Sequence, residues 1–434
     1  METQQTAEPP ARAWSWPVIL LAAYVAASVA RVPAILLEGR FWAEEGGVFF
    51  RHALGSGWSE VLCYVAPKLG YYNLLSNASV LAASRLVDVE HAPLVTAWIA
   101  LGVQTLPAAV IACGMIRAIR TVAARGLALL ALLLVPPNAE TWLNTINGQS
   151  YLAIATALLL VADTGREPGR IFRRLVLALA GLSGLVALFF LPLFWLRAWW
   201  EREHERVVQA SILTLAALVQ GMVLLRALGR SERQVGLPID ILVAAVYVKT
   251  MLLPLLGTVP AGKIAHPLLL TVVRRGLPAL PIVAVSIGAL ACGLVVYRSR
   301  SRDAGLLITA GALALLFGFA GALEQSDLRM LLLHILPNGG ERYYLVPNVL
   351  FVLGLFVALR TPNRFTLPLR LGGAVMLVWI LLVGANDYVS SRSIRADTFV
   401  GPPWQREVAA WRSRPGYRPR IWPAIWTIAS PPPR

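Results

Sequence analysis

Residues 94–125 read LVTAWIALGVQTLPAAVIACGMIRAIRTVAAR. The run Leu94–Ile116 carries no charge, and at about 1.5 Å per residue it is long enough to cross the ~30 Å hydrocarbon core of a bilayer. It ends in Arg117, Arg120 and Arg125, with no acid nearby. Basic residues beside membrane helices stay in the cytoplasm, so this stretch predicts a transmembrane helix and also its direction.

The rest of the chain repeats the pattern. Of 434 residues, 57% are hydrophobic and 14% charged, against about a quarter charged in a soluble domain. That balance excludes a cytosolic enzyme, a secreted disulfide scaffold and a disordered chain. The net charge of +16, from 39 Lys+Arg and 23 Asp+Glu, would raise nucleic acid as a partner in a soluble protein. In a membrane protein it marks loops that face cytoplasm and anionic lipid, so no nucleic acid is expected. The three cysteines, Cys63, Cys113 and Cys292, form no disulfide framework.

The expected fold is an all-α polytopic membrane protein of about 9–11 membrane helices, short and re-entrant ones included. Residues 1–16 form a cytoplasmic N-terminus, 17–385 the transmembrane domain and 386–434 an extracytoplasmic tail. Pro17–Leu37 is the first helix, with Trp14 and Trp16 as interfacial anchors. A long first outer loop, 38–93, follows, in which Tyr71–Val87 has helical periodicity diluted by Asn73, Asn77, Ser79 and Arg85 and lies along the interface. Leu127–Pro136 returns outward and stops at Pro136-Pro137; the loop PPNAETWLNTINGQS holds no Lys or Arg and is placed outside. Tyr151–Val161 leads back to Arg166, Arg170, Arg173 and Arg174. Leu175–Leu196 has arginines on both flanks, so a single crossing would break the charge rule, and Gly181-Leu-Ser-Gly184 suggests a hairpin of two half-helices. Val207–Leu225 goes out. Gly229–Arg275 is an outer basic loop with Ile239–Leu256 re-entrant or a buried pair of short segments around Lys249 and Pro254. Leu277–Tyr297 enters to Arg298, Arg300 and Arg302; Leu306–Leu323, Tyr343–Leu359 and Leu371–Ala385 complete the set. An outer tail puts Arg392 and Arg395 on the side opposite to the rule; its four tryptophans, Trp404, Trp411, Trp422 and Trp426, read as a small cap packed on the outer face.

No cytoplasmic catalytic cassette is present: GxxxxGK[ST], GxGxxG, HExxH and GxSxG are all missing, which argues against an ATP-driven pump. The five histidines have no zinc spacing, and His204 lies in the solvated string EREHER. The chemical residues gather in outer loops. Glu44 and Glu45, in GRFWAEEGGVFF, are adjacent carboxylates between aromatics, an arrangement that raises a carboxylate pKa toward that of a general base; the plain alternative is a pair that caps a short helix from Gly46. In NGGERYYLVP, Arg342 sits at the headgroup level where a lipid phosphate would lie, or simply snorkels from an aromatic belt. The outer loop with Arg230, Arg233, Lys249, Lys263, His266, Arg274 and Arg275 opposes the charge rule, and Lys249, within AAVYVKTMLLPLL, is the most expensive of these to bury. The loop around Glu140, Trp142, Asn144, Asn147, Gln149 and Tyr151 has the amides and aromatics that hold sugars, or that turn a loop.

Four strings together resemble the GT-C superfamily of integral-membrane glycosyltransferases, in its uncharacterised bacterial branches. Phe41-Trp-Ala-Glu-Glu-Gly-Gly-Val-Phe-Phe50 resembles F-x-A-E-D-G-x-x-F, Asn144–Leu152 resembles T-N-x-x-W/Y-x-L, and Gly70-Tyr-Tyr-Asn73 and Glu341-Arg-Tyr-Tyr-Leu-Val-Pro347 complete the set. The resemblance implies transfer of a sugar from a polyprenyl-phosphate carrier to a cell-envelope glycan, lipid or protein acceptor at the outer face of a bacterial inner membrane. It makes Glu44 and Glu45 the candidates for base, or for the ligands of a divalent cation. It makes Arg342, Lys249, Arg274 and Arg275 phosphate holders, and Asn144, Asn147 and Tyr151 sugar contacts. No metal ligand is assigned outside the glutamate pair, and Glu where the pattern has Asp leaves open which glutamate acts. The competing reading is a transporter or a flippase or polymerase of lipid-linked glycans.

Overall fold

The computed structural model describes residues 15–67, 69–164, 169–228, 238–323, 331–361, 365–390 and 401–429. Trp14, Arg230, Arg233, Arg392 and Arg395 lie outside these. The described chain is helical apart from one hairpin, Arg420–Ile421 with Trp426–Thr427. Six helices are long and apolar enough to cross a membrane: Ala92–Ala112, His204–Arg226, Ile239–Leu256, Ala279–Ser299, Arg342–Arg360 and Leu367–Val389. A bent pair, Gly169–Leu182 with Val186–Glu201, brings the number to seven, and Trp16–Arg31, Val122–Leu134 and Gly148–Val161 are shorter apolar helices. The chain is therefore an all-α, multi-pass membrane protein; among the described residues six or seven helices are long enough to span, and the expected 9–11 also counted shorter and re-entrant ones.

Gly148–Val161 is the centre of the bundle. Its sequence is apolar all round, and every residue but Gln149 is buried, the pattern of a helix surrounded by other helices. Arg302–Leu323 and Arg342–Arg360 pack closely beside it because glycine lets their backbones approach. A Cβ at Gly354 would meet Ile308 at 2.6 Å, and one at Gly311 would meet Phe351 at 3.0 Å. In contrast, Ala279–Ser299 and Leu367–Val389 keep most of their apolar surface exposed, as lipid-facing helices do.

The hairpin expected at 175–196 is present as two helices that turn through 116°. Gly184, at φ +141, forms the turn, and a side chain there would collide with the Gln149 amide. Both free ends lie at the same end of the bundle. Arg173 Nη2 donates to the Thr164 carbonyl at 3.0 Å, and Arg197 donates to the Leu160 carbonyl. The turn itself reaches Leu75, whose N–H donates to Ser183 Oγ at 3.1 Å.

Three regions take a more definite form. Residues 71–87 include a packed helix, Leu74–Leu86, with Leu75, Ser76, Asn77, Ser79, Val80, Leu81 and Ala83 buried, because its polar residues bond inward. Asn77 Nδ2, for example, donates to the carbonyls of Leu62 and Tyr64. The basic loop is, in its described part, two helices, Ile239–Leu256 and Thr258–Arg275. The tail is fastened directly to the first loop: Trp422 N–H donates to Phe41 O at 2.9 Å, Ala43 N–H donates to Trp422 O, and Trp404 Nε1 donates to Val89 O at 2.8 Å. Tail and first loop therefore lie at the same end of the bundle, opposite the end where Arg117, Arg120, Arg173, Arg197 and Arg206 gather.

Candidate functional site

Glu44 and Glu45 sit where Phe41–Ala43 pairs with the tail and then turns into a short helical segment, Glu45–Phe50. The turn is made at Ala43 with φ +35, a left-handed conformation that a residue with a Cβ adopts only under constraint from its surroundings. Trp422 supplies that constraint by bonding both sides of Trp42. Gly46 lets the segments touch, since a Cβ there would stand 2.6 Å from Phe41 Cβ and 2.9 Å from Ile421.

The two glutamates differ sharply. Glu45 is buried, 2% exposed, and its carboxylate accepts the Thr145 N–H at 2.9 Å, the Thr145 hydroxyl and the Trp42 N–H at 3.3 Å. Burial pushes its pKa up, and the bonds from Thr145 and Trp42 pull it back. Glu44 is half-buried, and among the described residues nothing hydrogen-bonds its carboxylate. It stands within electrostatic reach of Arg342 and Tyr71. Burial holds the Tyr71 hydroxyl up at about 12, and the hydroxyl accepts a hydrogen bond from Gln149 Nε2 at 3.3 Å.

Around Arg342 the charges interlock. Arg342 Nη1 meets Glu140 Oε1 at 2.6 Å, the Arg342 backbone N–H donates to Glu140 Oε2 at 3.3 Å, and the Glu140 N–H donates to Glu341 Oε2 at 2.9 Å. Lys249, fully buried, donates from Nζ to the carbonyls of Pro337, at 3.1 Å, and Gly339, and lies 5.3 Å from the Tyr344 ring centre. Its electrostatic neighbours are Glu341 and Glu140. Burial raises the Glu341 carboxyl pKa, and Lys249 opposes that rise. His334 is held neutral, its pKa pushed down to about 3 by burial and by the Lys249 and Arg342 charges. Arg31, at the end of the first helix, stacks over Trp142 at 4.3 Å and Tyr388 at 4.7 Å and is a further neighbour of Glu341.

Of the residues singled out from sequence, Glu44, Glu45, Lys249 and Arg342 come together here. Asn144 and Asn147 also arrive, with their amides already engaged: both Nδ2 groups donate to the Glu140 carbonyl at 2.9 Å, and Asn144 Oδ1 accepts the Asn147 N–H at 3.0 Å. They hold the loop that presents Glu140. Tyr151 is buried beside Thr141 and Arg31. Arg274 and Arg275 stand exposed at the end of Thr258–Arg275, and among the described residues no hydrogen bond or ion pair joins them to Lys249 or Arg342. For a divalent cation the donor set does not fit: Glu45 is saturated, and among the described residues no three His, Cys, Asp or Glu side chains stand together as ligands.

Sequence reading left Arg31, Tyr71 and His334 outside the assigned site. Arg31 carried a usable signal, a charge within the first apolar run. His334, by contrast, is brought in by tertiary packing: its neighbours Leu331 and Ile335 join the cluster built on Ile241, Val248 and Ala265, and its ring lies 5.4 Å from that of Tyr343. No known protein family, curated protein or solved structure matches the chain.

Proposed function

We propose that the protein is a membrane glycosyltransferase, moving a sugar from a polyprenyl-phosphate carrier to a cell-envelope acceptor at the outer face of a bacterial inner membrane. The observation that carries the reading is the meeting, at one end of the bundle, of a carboxylate that makes no hydrogen bond among the described residues, Glu44, with two cations, Arg342 and Lys249. Glu44 accepts the proton of the acceptor hydroxyl as that oxygen attacks the anomeric carbon. The carbon–oxygen bond to the carrier phosphate breaks, and its electron pair leaves on the phosphate, which Arg342 and Lys249 neutralise. Both have donors to give: Arg342 commits Nη1 to Glu140, and two ammonium protons of Lys249 reach the carbonyls of Pro337 and Gly339. Glu45 is the brace that ties the first loop to Thr145, so that Glu44 and the Glu140–Arg342 pair keep their register. None of these steps needs a metal.

A buried lysine in an apolar helix is also what a transporter or flippase of lipid-linked glycans would have, so Lys249 favours that reading in part. One assay separates the two. Purified protein in liposomes is given a polyprenyl-phosphate donor with a radiolabelled sugar, together with an envelope extract. Transfer predicts that label leaves the lipid fraction and joins the acceptor; label that crosses the bilayer while still lipid-linked would replace this reading with transport.

A further inference from the structure

The helix Thr258–Arg275 was expected as part of a loop of phosphate ligands, and its geometry gives its basic residues different work. Its buried residues, Ala261, Ala265, Leu268 and Val272, fall at i, i+4, i+7 and i+11, one stripe of which the last three share a cluster with Ile241, Ala245, Val248, Leu331 and Ile335. Val259, Lys263, His266, Leu270 and Arg274 have the same spacing on the opposite side and are all exposed. That stripe alternates apolar and basic groups, and beside it Ile264 and Val273 are exposed as well, the latter by 58%. A helix facing water has no reason to expose Leu270 and Val273, whereas one lying in a headgroup layer sinks them into the acyl boundary while its Lys and Arg reach the phosphates.

Charge points the same way. Thr258–Arg275 contains no acid, and among the described residues Lys263, Arg274 and Arg275 make no ion pair. The helix dipole accounts for cations in the last turn, at Arg274 and Arg275, but not for Lys263 in mid-helix. The helix is fixed at its start, where the Thr258 N–H and hydroxyl donate to Asp387 at 2.8 and 2.9 Å. Next to Lys263, Gly262 faces Pro337, whose carbonyl receives Lys249.

We propose that the Val259–Arg274 stripe is an interfacial docking strip for the phosphate headgroup of an anionic lipid, with Lys263, His266 and Arg274 as headgroup contacts. The proposal needs only membrane embedding and stands independently of sugar transfer. The test uses the full chain in nanodiscs carrying one diazirine lipid at a time: phosphatidylglycerol, a polyprenyl phosphate or zwitterionic phosphatidylcholine. Peptides from 258–275 are then scored for cross-links. Labelling by the two anionic probes should exceed that by phosphatidylcholine and should weaken with salt. It should fall about fivefold for each charge removed in K263Q and R274Q. The paired K263R/R274K variant should retain the preference, which separates lost charge from lost folding. A stronger signal from polyprenyl phosphate identifies a carrier lipid as the occupant, and equal anionic signals identify bulk lipid. Equal labelling by all three probes, or a preference unchanged in K263Q/R274Q, would overturn the proposal.

Discussion

The two ends of the central helix Gly148–Val161 are both rich in charge, and they use it in opposite ways. At the arginine end, Arg197 and Arg206 donate to the carbonyls of Leu159, Leu160 and Ala162, the groups a helix C-terminus leaves without partners. The same arginines share Glu201, each at 2.7 Å, while Arg174 reaches Glu205 and Arg117 and Arg120 close on Asp163. A cavity of about 270 Å3 opens there, lined by Arg117, Asp163, Arg197, Glu201 and Arg206 among others, with Arg302 also at its wall. At the Glu44 end the charges come from distant parts of the chain. The arginine end is hollow and most of its charges are paired with one another, whereas at the other end the Glu44 carboxylate makes no hydrogen bond among the described residues.

That contrast can be broken most forcefully at the arginine end. Arg206→Ala removes one of the two arginine partners of Glu201 and two carbonyl contacts at once. Losing one side of a buried pair costs about 3–5 kcal/mol, and the lower part of that range applies because Glu201 stays part-exposed. Thermal unfolding in detergent should report that loss, while surviving folded protein keeps its sugar-transfer rate. Arg342→Gln should do the reverse. Transfer should fall by about 10²–10³, the usual effect of removing a donor to a developing negative charge. Glu140 keeps its bond from the backbone of residue 342, so the melting temperature should move less than in the Arg206 variant. Equal behaviour of the two variants in both assays would erase the distinction.

A smaller effect is expected at Gly46. Its Cβ would press on Phe41 and Ile421, so Gly46→Ala should destabilise by about 1–3 kcal/mol and slow transfer by shifting Glu44. Gly47→Ala, whose Cβ would meet the edge of the Trp426 ring at 3.3 Å and the Thr427 carbonyl at 3.5 Å, should be milder on both counts. The smallest effect concerns pH. The neutral His334 resists protonation down to about pH 3, whereas the unfolded chain takes up that proton near pH 6.5. Its contribution to stability is therefore complete above pH 6.5 and is lost as pH falls toward 3. Melting temperatures over that window should drop less steeply for His334→Gln than for the parent.

Much of this division was legible in the residues. The apolar runs and their arginine borders mark the helices, and the Gly181–Gly184 pair marks the sharp turn, because such signals are local. Glu44, Arg342 and Lys249 stood out as charges in expensive places. Their convergence was not legible, since it depends on pairings such as Glu45 with Thr145 and Glu140 with Arg342 across the whole bundle. Asn144 and Asn147 illustrate the same limit: an amide in a loop serves a ligand or its own backbone, and only the fold decides between them. Arg274 and Arg275 resembled phosphate ligands by charge alone, and the helix that carries them turns them away to the surface. The tail's role was hidden for a similar reason, because its grip on Phe41 and Ala43 is made by backbone groups of Trp422.

The most direct test of a working Glu44 beside a bracing Glu45 compares sugar transfer by Glu44→Gln and Glu45→Gln proteins, with donor binding and melting temperature measured on the same samples. Among the described residues the Glu44 side chain makes no hydrogen bond, so Glu44→Gln should melt like the parent, bind donor, and transfer about 10²–10⁴ times more slowly. Glu45→Gln should lose stability and transfer together. A Glu44→Gln protein that transfers sugar at the parental rate would contradict the account.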